Sequence, residues 1–284
     1  MNLNDTEIVS SILSNGGYEL TENIDDADCI FLNTCSVREN AEKRITERLK
    51  RLKPYKRKKP DLLVGILGCM AERLRAKLLD ESEILDMVVG PDEYRRINTL
   101  IDTAYQGEKG IAVKLSRVET YDDIAPLRKD GISAWLSIMR GCNNFCSYCV
   151  VPYTRGRERS RPIESLIKEV HDLKKEGFME ITLLGQNVNS YKCPISGKRF
   201  PDLLKKTAEA AINVRIRYTT SNPKDMSDEL IETMSEHENI CKHIHLPVQS
   251  GSNQVLEKMN RGYTAQHYLE RIKRIKETMP EISL

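Results

Sequence analysis

Apolar and polar positions alternate along the chain with two periods, and the period switches every ten to twenty residues. Asp5 to Asn15 reads as a helix: Asp5 caps it, Ile8, Val9, Ile12 and Leu13 share one face, and Gly16-Gly17 stop it. Cys29 to Leu32 is a short apolar run of strand type. Ser36 to Lys53 is helical, ended by Pro54. Leu62 to Leu67 and Asp86 to Val89 are further strands, with helices over Ala71 to Leu79 and Pro91 to Tyr105. Strands that alternate with helices predict an open parallel sheet, because right-handed crossovers return each strand in the same direction.

Residues 107–131 break the rhythm. Gly107, Gly110, Pro126 and Gly131 punctuate a stretch without a strong period, read as a linker with one short strand at Ile111 to Leu115. A second alternation follows. Strands are expected at Ala134–Met139, Glu180–Leu184, Val214–Thr219 and His243–Leu246. Helices are expected at Pro162–Glu176, Asp202–Ile212, Asp228–Glu236, Ser252–Met259 and Ala265–Thr278, and a fifth strand opens at Ile282. The predicted fold is α/β: an open parallel-sheet domain over 1–106, a linker over 107–131, and a partial β/α barrel over 132–284.

Composition narrows the class. The chain has 284 residues, 44 basic against 42 acidic, 39% apolar and 30% charged. That suits two globular domains and excludes collagenous, disordered and coiled-coil chains. A net charge of +2 argues against a generic nucleic-acid coat but allows a local basic groove. No apolar run approaches the roughly 18 residues of a membrane span, and no leader is evident, so the cytoplasm is expected. Eight cysteines in such a chain then point to metal or redox work with reduced thiols.

The strongest chemical signal is Cys142-Asn-Asn-Phe-Cys146-Ser-Tyr-Cys149, placed just after a predicted strand. A loop of that length can wrap one face of an iron–sulfur cube, each thiolate taking one iron. The fourth iron is left open to a small molecule, which is what anchoring and reducing S-adenosylmethionine (SAM) requires. Gly141 permits the sharp turn at the strand end. The competing reading is a three-cysteine zinc knuckle completed by a distant histidine, although zinc sites favour paired C-x₂-C halves.

The run, with Tyr148 before its last cysteine, resembles the radical-SAM signature. Cys149-Val-Val-Pro152-Tyr153-Thr-Arg155-Gly156, Leu184-Gly185-Gln186-Asn187-Val188-Asn189 and His245-Leu-Pro247-Val-Gln249-Ser-Gly251-Ser resemble the tRNA methylthiotransferases of the MiaB type. So do Asn33-Thr34-Cys35-Ser-Val-Arg38-Glu39 and Gly68-Cys69-Met-Ala, and the resemblance covers essentially the whole chain. It implies a 4Fe–4S cluster on Cys142, Cys146 and Cys149, with SAM bound to it. It implies a second 4Fe–4S cluster held by three cysteines, of which Cys35 and Cys69 are two. The third belongs ahead of the first helix, so this chain is expected to be a fragment, cut at both ends, lacking that ligand, the last barrel strands and an RNA-binding β domain.

The implied reaction begins with one-electron cleavage of SAM to methionine and a 5′-deoxyadenosyl radical. That radical takes the hydrogen from C2 of an isopentenyl-adenosine beside the tRNA anticodon, and the second cluster supplies a sulfur that a separate SAM methylates. The implied partners are a tRNA anticodon stem-loop and an electron donor such as flavodoxin or ferredoxin, with no membrane and a monomeric enzyme. Other readings are a methylthiotransferase for threonylcarbamoyl-adenosine or a ribosomal-protein aspartate, a non-catalytic iron–sulfur RNA-binding module, and a zinc-binding structural domain.

Barrel active sites lie at strand C-termini, which nominates Tyr148, Gly185, Gln186, Asn187, Ser221 and Gln249 as SAM contacts. His243 and His245 alternate onto one strand face, with interior packing favoured over ligand contact, and Trp135 is expected in the core. Cys29, Cys193 and Cys241 read as ordinary thiols. Arg155, Arg157, Arg159 and Arg161 follow the cluster loop and are candidates for RNA phosphate or the SAM carboxylate, with Glu158 ordering them by ion pairing. Arg48 to Lys59 holds eight Lys or Arg in twelve positions and reads as a solvated helix end rather than a phosphate surface.

Overall fold

A computed structural model describes residues 1–36, 39–129 and 131–284. The chain divides into two compact units. One comprises Asn2–Leu127 and Val150–Gly156; the other comprises Met1, Arg128–Cys149 and Arg157–Leu284.

In the N-terminal unit the order is α1 (Asn2–Asn15), β1 (Cys29–Thr34), α2 (Glu39–Lys58), β2 (Leu63–Gly68), α3 (Cys69–Leu74), α4 (Ala76–Glu81), β3 (Met87–Val89), α5 (Ile97–Tyr105) and β4 (Gly110–Ala112). The strands form one parallel sheet in the order β1-β2-β3-β4. All six residues of β2 are buried, as a central parallel strand covered on both faces requires. Strand β4 lies within the stretch read as a linker. Tyr121, further along that stretch, is buried against Tyr94, and its hydroxyl accepts from the Tyr94 N–H at 3.0 Å and donates to the Pro91 carbonyl at 3.1 Å.

Three local expectations are corrected here. Asp5 does not cap α1: it lies inside the helix, fully buried, because its carboxylate pairs with a buried arginine rather than with free helix N–H groups. Pro54 does not end α2. The helix runs to Lys58, and Lys56 beyond the proline is anchored to Asp86 at 2.8 Å and to the Leu62 carbonyl. The helix predicted over Ala71 to Leu79 is two helices. They part at Arg75, whose φ of 51° is left-handed and whose side chain pairs with the buried Glu72 at 2.9 Å.

The other unit contains β5 (Ser133–Ser137), β6 (Met139–Arg140), β7 (Arg159–Ser160), α7 (Ile163–Lys175), β8 (Glu180–Leu184), α8 (Phe200–Ala210), β9 (Arg215–Tyr218), α9 (Asp228–Glu236), α10 (Asn253–Lys258) and α11 (Ala265–Thr278). The remaining short helix, α6 (Val151–Thr154), belongs to the N-terminal unit. Strands β5, β8 and β9 form a parallel sheet in that order, and β6 pairs antiparallel with β7. Single parallel bridges, Ile216 with Ile240 and His243 with Ser283, continue the barrel pattern. The strand predicted at His243–Leu246 is therefore reduced to one bridge. Ile244 and Leu246 point to the core, while His243 and His245 are exposed. The interior placement of the two histidines is thus corrected: burying the aliphatic pair outweighs burying imidazoles. Among the described residues no helix is long and apolar enough to cross a membrane.

Candidate functional site

Strand β6 ends at Gly141, whose φ of 78° turns the chain into the cysteine loop. Cys142 and Cys146 are buried and Cys149 is half-buried. The Cys149 N–H donates to the Cys146 carbonyl at 2.9 Å, and the Asn144 N–H points at Cys142 Sγ at 3.5 Å. Burial, chiefly, pushes the Cys142 thiol up to about 11, with Glu158 and the other two thiols adding to the rise. Their mutual influence places the three sulfurs in one electrostatic neighbourhood, and loading metal there releases protons. Among the described residues no set of three or more His, Cys, Asp or Glu side chains is gathered tightly enough for a single ion. Three thiols on one loop, one per iron, are the donor set that a cuboidal cluster takes.

Two structures hold the loop. Glu158 accepts from the Asn143 N–H at 3.3 Å and from the Ser190 hydroxyl at 2.8 Å, so it orders the loop through neutral donors rather than the ion pair expected of it. The turn after α10 supports the far side, and sequence reading missed it. Ser147 N–H donates to the Met259 carbonyl at 3.1 Å and Ser147 Oγ to the Lys258 carbonyl at 2.9 Å. Asn260 Nδ2 reaches the carbonyls of Asn144 and Phe145 at 3.2 and 3.0 Å. The detectable signal was Asn260-Arg261-Gly262 after a helix, where Asn260 and Gly262 both take positive φ.

At the C-terminal ends of β8 and β9 several buried polar atoms have no partner among the described residues. They are both ends of the Gln186 amide, both ends of the Asn189 amide, Asn187 Oδ1 and Ser221 Oγ. Asn187 Nδ2 donates to Asp225 at 2.7 Å, which fixes the orientation of that amide. An unsatisfied buried polar group costs about 1–3 kcal/mol, so a cluster of them marks a place for a polar ligand. The donors and acceptors suit the ribose and amino-acid end of SAM. Gly185 is needed for packing: a Cβ there would meet Met139 Cγ at 2.7 Å. Tyr148 and Gln249 are exposed, the latter with φ of 64°, and Trp135 is half-buried.

The arginines divide by environment. Arg157 is exposed, its guanidinium 4.2 Å from the Phe145 ring centre. Arg161 is buried, paired with Glu169 at 2.8 Å and donating to the Ser137 carbonyl at 3.0 Å, and Arg159 is buried as well. Arg155 belongs to the N-terminal unit and is buried there against Asp5 at 2.5 Å. Arg155 and Arg161 thus spend their charge inside the protein, where a carboxylate compensates the lost hydration. In the Arg48 to Lys59 run, Lys50, Lys53, Lys56, Lys58 and Lys59 are each ion-paired.

In the N-terminal unit, Thr34 and Gly68 are the last register pair of β1 and β2. Cys35 follows β1 directly and Cys69 opens α3 directly after β2, so the register places two thiols 34 positions apart in sequence at the same edge of the sheet. Cys69 is buried, and Arg155 Nε donates to its sulfur at 3.2 Å. Val37 and Arg38 of the neighbouring motif lie outside the described residues. Cys29 sits at the start of β1, where burial above all pushes its thiol up to about 12. Cys193 is buried with the Ser196 N–H 3.5 Å from its sulfur, and Cys241 is half-buried.

Residues 1–90 match the uncharacterized protein family UPF0004, and residues 136–284 match the radical SAM superfamily. The chain is 57% identical over its full length to a tRNA-2-methylthio-N(6)-dimethylallyladenosine synthase of Chloroherpeton thalassium and 52% identical to one of Porphyromonas gingivalis. It spans 63% of the length of each of these curated relatives. A solved structure of the radical S-adenosylmethionine methyltransferase TsrM from Kitasatospora setae, with cobalamin and a 4Fe–4S cluster bound, superposes with a TM-score of 0.65. That match covers 99% of this chain and 64% of the other at 15% identity, and speaks to fold. With the three-cysteine loop following β6 and the superfamily match running over residues 136–284, more than half of the chain, the chain belongs to the radical SAM superfamily.

Proposed function

We propose that the chain forms the catalytic part of a radical-SAM methylthiotransferase acting at C2 of isopentenyl-adenosine next to the tRNA anticodon. The observation that carries the reading is the coexistence of two thiol sites in one chain: the three-cysteine loop in one unit and the Cys35–Cys69 pair at the sheet edge of the other. The relatives at 52–57% identity, named as tRNA-2-methylthio-N(6)-dimethylallyladenosine synthases, suggest the substrate class.

Cys142, Cys146 and Cys149 hold the first cluster, which when bound supplies one electron to SAM from a donor of the flavodoxin or ferredoxin class. Gln186, Asn187, Asn189 and Ser221 turn their unpartnered polar atoms to SAM, and Asp225 holds the Asn187 amide for it. Of the four arginines after the cysteine loop, exposed Arg157, stacked on Phe145, is the one offered to an RNA phosphate. Cys35 and Cys69 are the ligands this chain brings to a second cluster that serves sulfur insertion. A single-stranded anticodon loop lets the target base leave its stack at low cost.

The test is anaerobic reconstitution with iron and sulfide counting, then nucleoside analysis of tRNA treated with protein extended to the relatives' length. About four irons per chain fit one cluster and about eight fit two. Replacing Cys35 or Cys69 by Ala is expected to spare 5′-deoxyadenosine formation and stop the methylthio product. Product from both variants would overturn the role given to that pair.

A further inference from the structure

Arg261 lies on the turn that follows α10, buried at 7% exposure, 115 residues beyond the cysteine it touches. One of its amino groups donates to Cys146 Sγ at 3.2 Å and to the Tyr148 hydroxyl at 3.3 Å. Its Nε reaches the Tyr263 hydroxyl at 3.4 Å, and its guanidinium carbon stands 5.4 Å from the Tyr263 ring centre. Tyr263 is itself fixed, donating to the Val248 carbonyl at 2.9 Å. Every partner of this guanidinium is neutral or a thiol; among the described ion pairs none involves it.

That isolation is unusual for a buried arginine. A guanidinium does not lose its proton in a protein, and removing its charge from water is expensive unless an anion compensates. Arg155 and Arg161 each have a carboxylate. Arg261 has only the sulfur of a cysteine that becomes a thiolate when metal binds. From this geometry we infer that Arg261 is a positioning residue for the first cluster: it anchors the Cys146 thiolate and raises the cluster's reduction potential. The physical cause is electrostatic. A reduced cluster carries one more negative charge than the oxidised one, and a fixed cation hydrogen-bonded to a ligand sulfur favours the more negative state. The neighbouring turn supplies the rigidity, since Ser147 and Asn260 tie it to the loop on either side of Cys146.

The inference rests on the assignment of the cluster to Cys142, Cys146 and Cys149, and the two can fail separately. Wild-type chain that takes up no iron under anaerobic reconstitution refutes the cluster assignment and this role together. With wild-type iron present, the test is an EPR-monitored potentiometric titration, with dithionite as reductant, of wild type, Arg261→Gln and Arg261→Lys. Circular dichroism and thermal unfolding of the iron-free proteins run alongside. Arg261→Gln is expected to fold and bind iron but to titrate at a more negative potential with an altered EPR signal. Arg261→Lys, which restores the charge, is expected to recover part of the shift. If Arg261→Gln folds without retaining iron, recovery of iron by Arg261→Lys supports the role. A wild-type potential and signal in Arg261→Gln would overturn it, and so would equal loss of iron from both variants or misfolding of both.

Discussion

Cys142, Cys146 and Cys149 share a loop because eight consecutive residues contain them, whereas Cys35 and Cys69 come to one sheet edge through the register of two parallel strands. Both sites use the same accessory chemistry. Each has one thiol receiving a hydrogen bond from a buried arginine at 3.2 Å, and each arginine comes from far along the chain, 86 residues from Cys69 and 115 from Cys146. The charges are handled differently. Arg155 is already neutralised by Asp5, so it closes and stiffens the Cys69 site without lending it a free positive charge. Arg261 has no such carboxylate among the described residues, and its charge is felt at the sulfur. The lesson is that a similar contact can serve architecture in one place and redox tuning in another, depending on what else the guanidinium touches.

The contrast breaks most sharply at the ligands. Replacing any one of Cys142, Cys146 or Cys149 by Ala is expected to remove the loop's iron and depress SAM cleavage by at least about 100-fold, the upper range for losing a mere supporting partner of a metal site. Assays of iron, sulfide and 5′-deoxyadenosine check this. Full cleavage by one variant would place the cluster elsewhere.

A smaller effect tests the neutralised arginine. Asp5→Ala strands the Arg155 charge in the N-terminal unit and is expected to cost about 3–5 kcal/mol, read as a lower urea midpoint. Pairing Asp5→Leu with Arg155→Met is expected to recover most of the loss, because apolar groups of similar volume need no compensating charge. A cost below about 1 kcal/mol for Asp5→Ala would show that the pair does not close that site.

The smallest effect comes from Glu72, on the helix that starts at Cys69. Burial raises its carboxyl from 4.5 to about 7, against the opposing pull of Arg75. The folded protein thus keeps a proton that the unfolded chain releases. Stability from this group is complete below about 4.5 and is lost as pH rises through about 7, a fall of up to about 3 kcal/mol. Glu72→Gln is expected to flatten that part of the stability–pH curve, measured by urea unfolding between pH 4 and pH 8, values chosen to bracket the about 3-unit window. An unchanged slope would mean that Glu72 titrates elsewhere.

Strands and helices whose apolar period is uninterrupted were legible from the residues. Glu180–Leu184, Asp228–Glu236 and Ala265–Thr278 begin and end where their patterns predict. Local rules failed where a distant group intervened. Asp5 looks like a helix cap until Arg155 is placed beside it, and Pro54 looks like a stop until Lys56 finds Asp86. Of the side chains whose buried polar atoms lack a partner among the described residues, Gln186, Asn187 and Ser221 were nominated from their position after a strand. Asn189 was not singled out, since nothing in its own neighbourhood shows that its amide is buried without a partner.

The chain's residues by themselves determined the α/β alternation, the cysteine spacing and the glycine turn that starts the loop, because each depends on neighbours within about one turn or one strand. Tertiary structure decided which arginine meets which sulfur. Arg155, six residues after Cys149, serves the other thiol site, and Arg261, with no mark of its own in the sequence, serves Cys146. The physical reason is that charge compensation is settled by which buried groups the topology brings within hydrogen-bonding distance, and separations of 86 and 115 residues leave no periodic trace from which to read that.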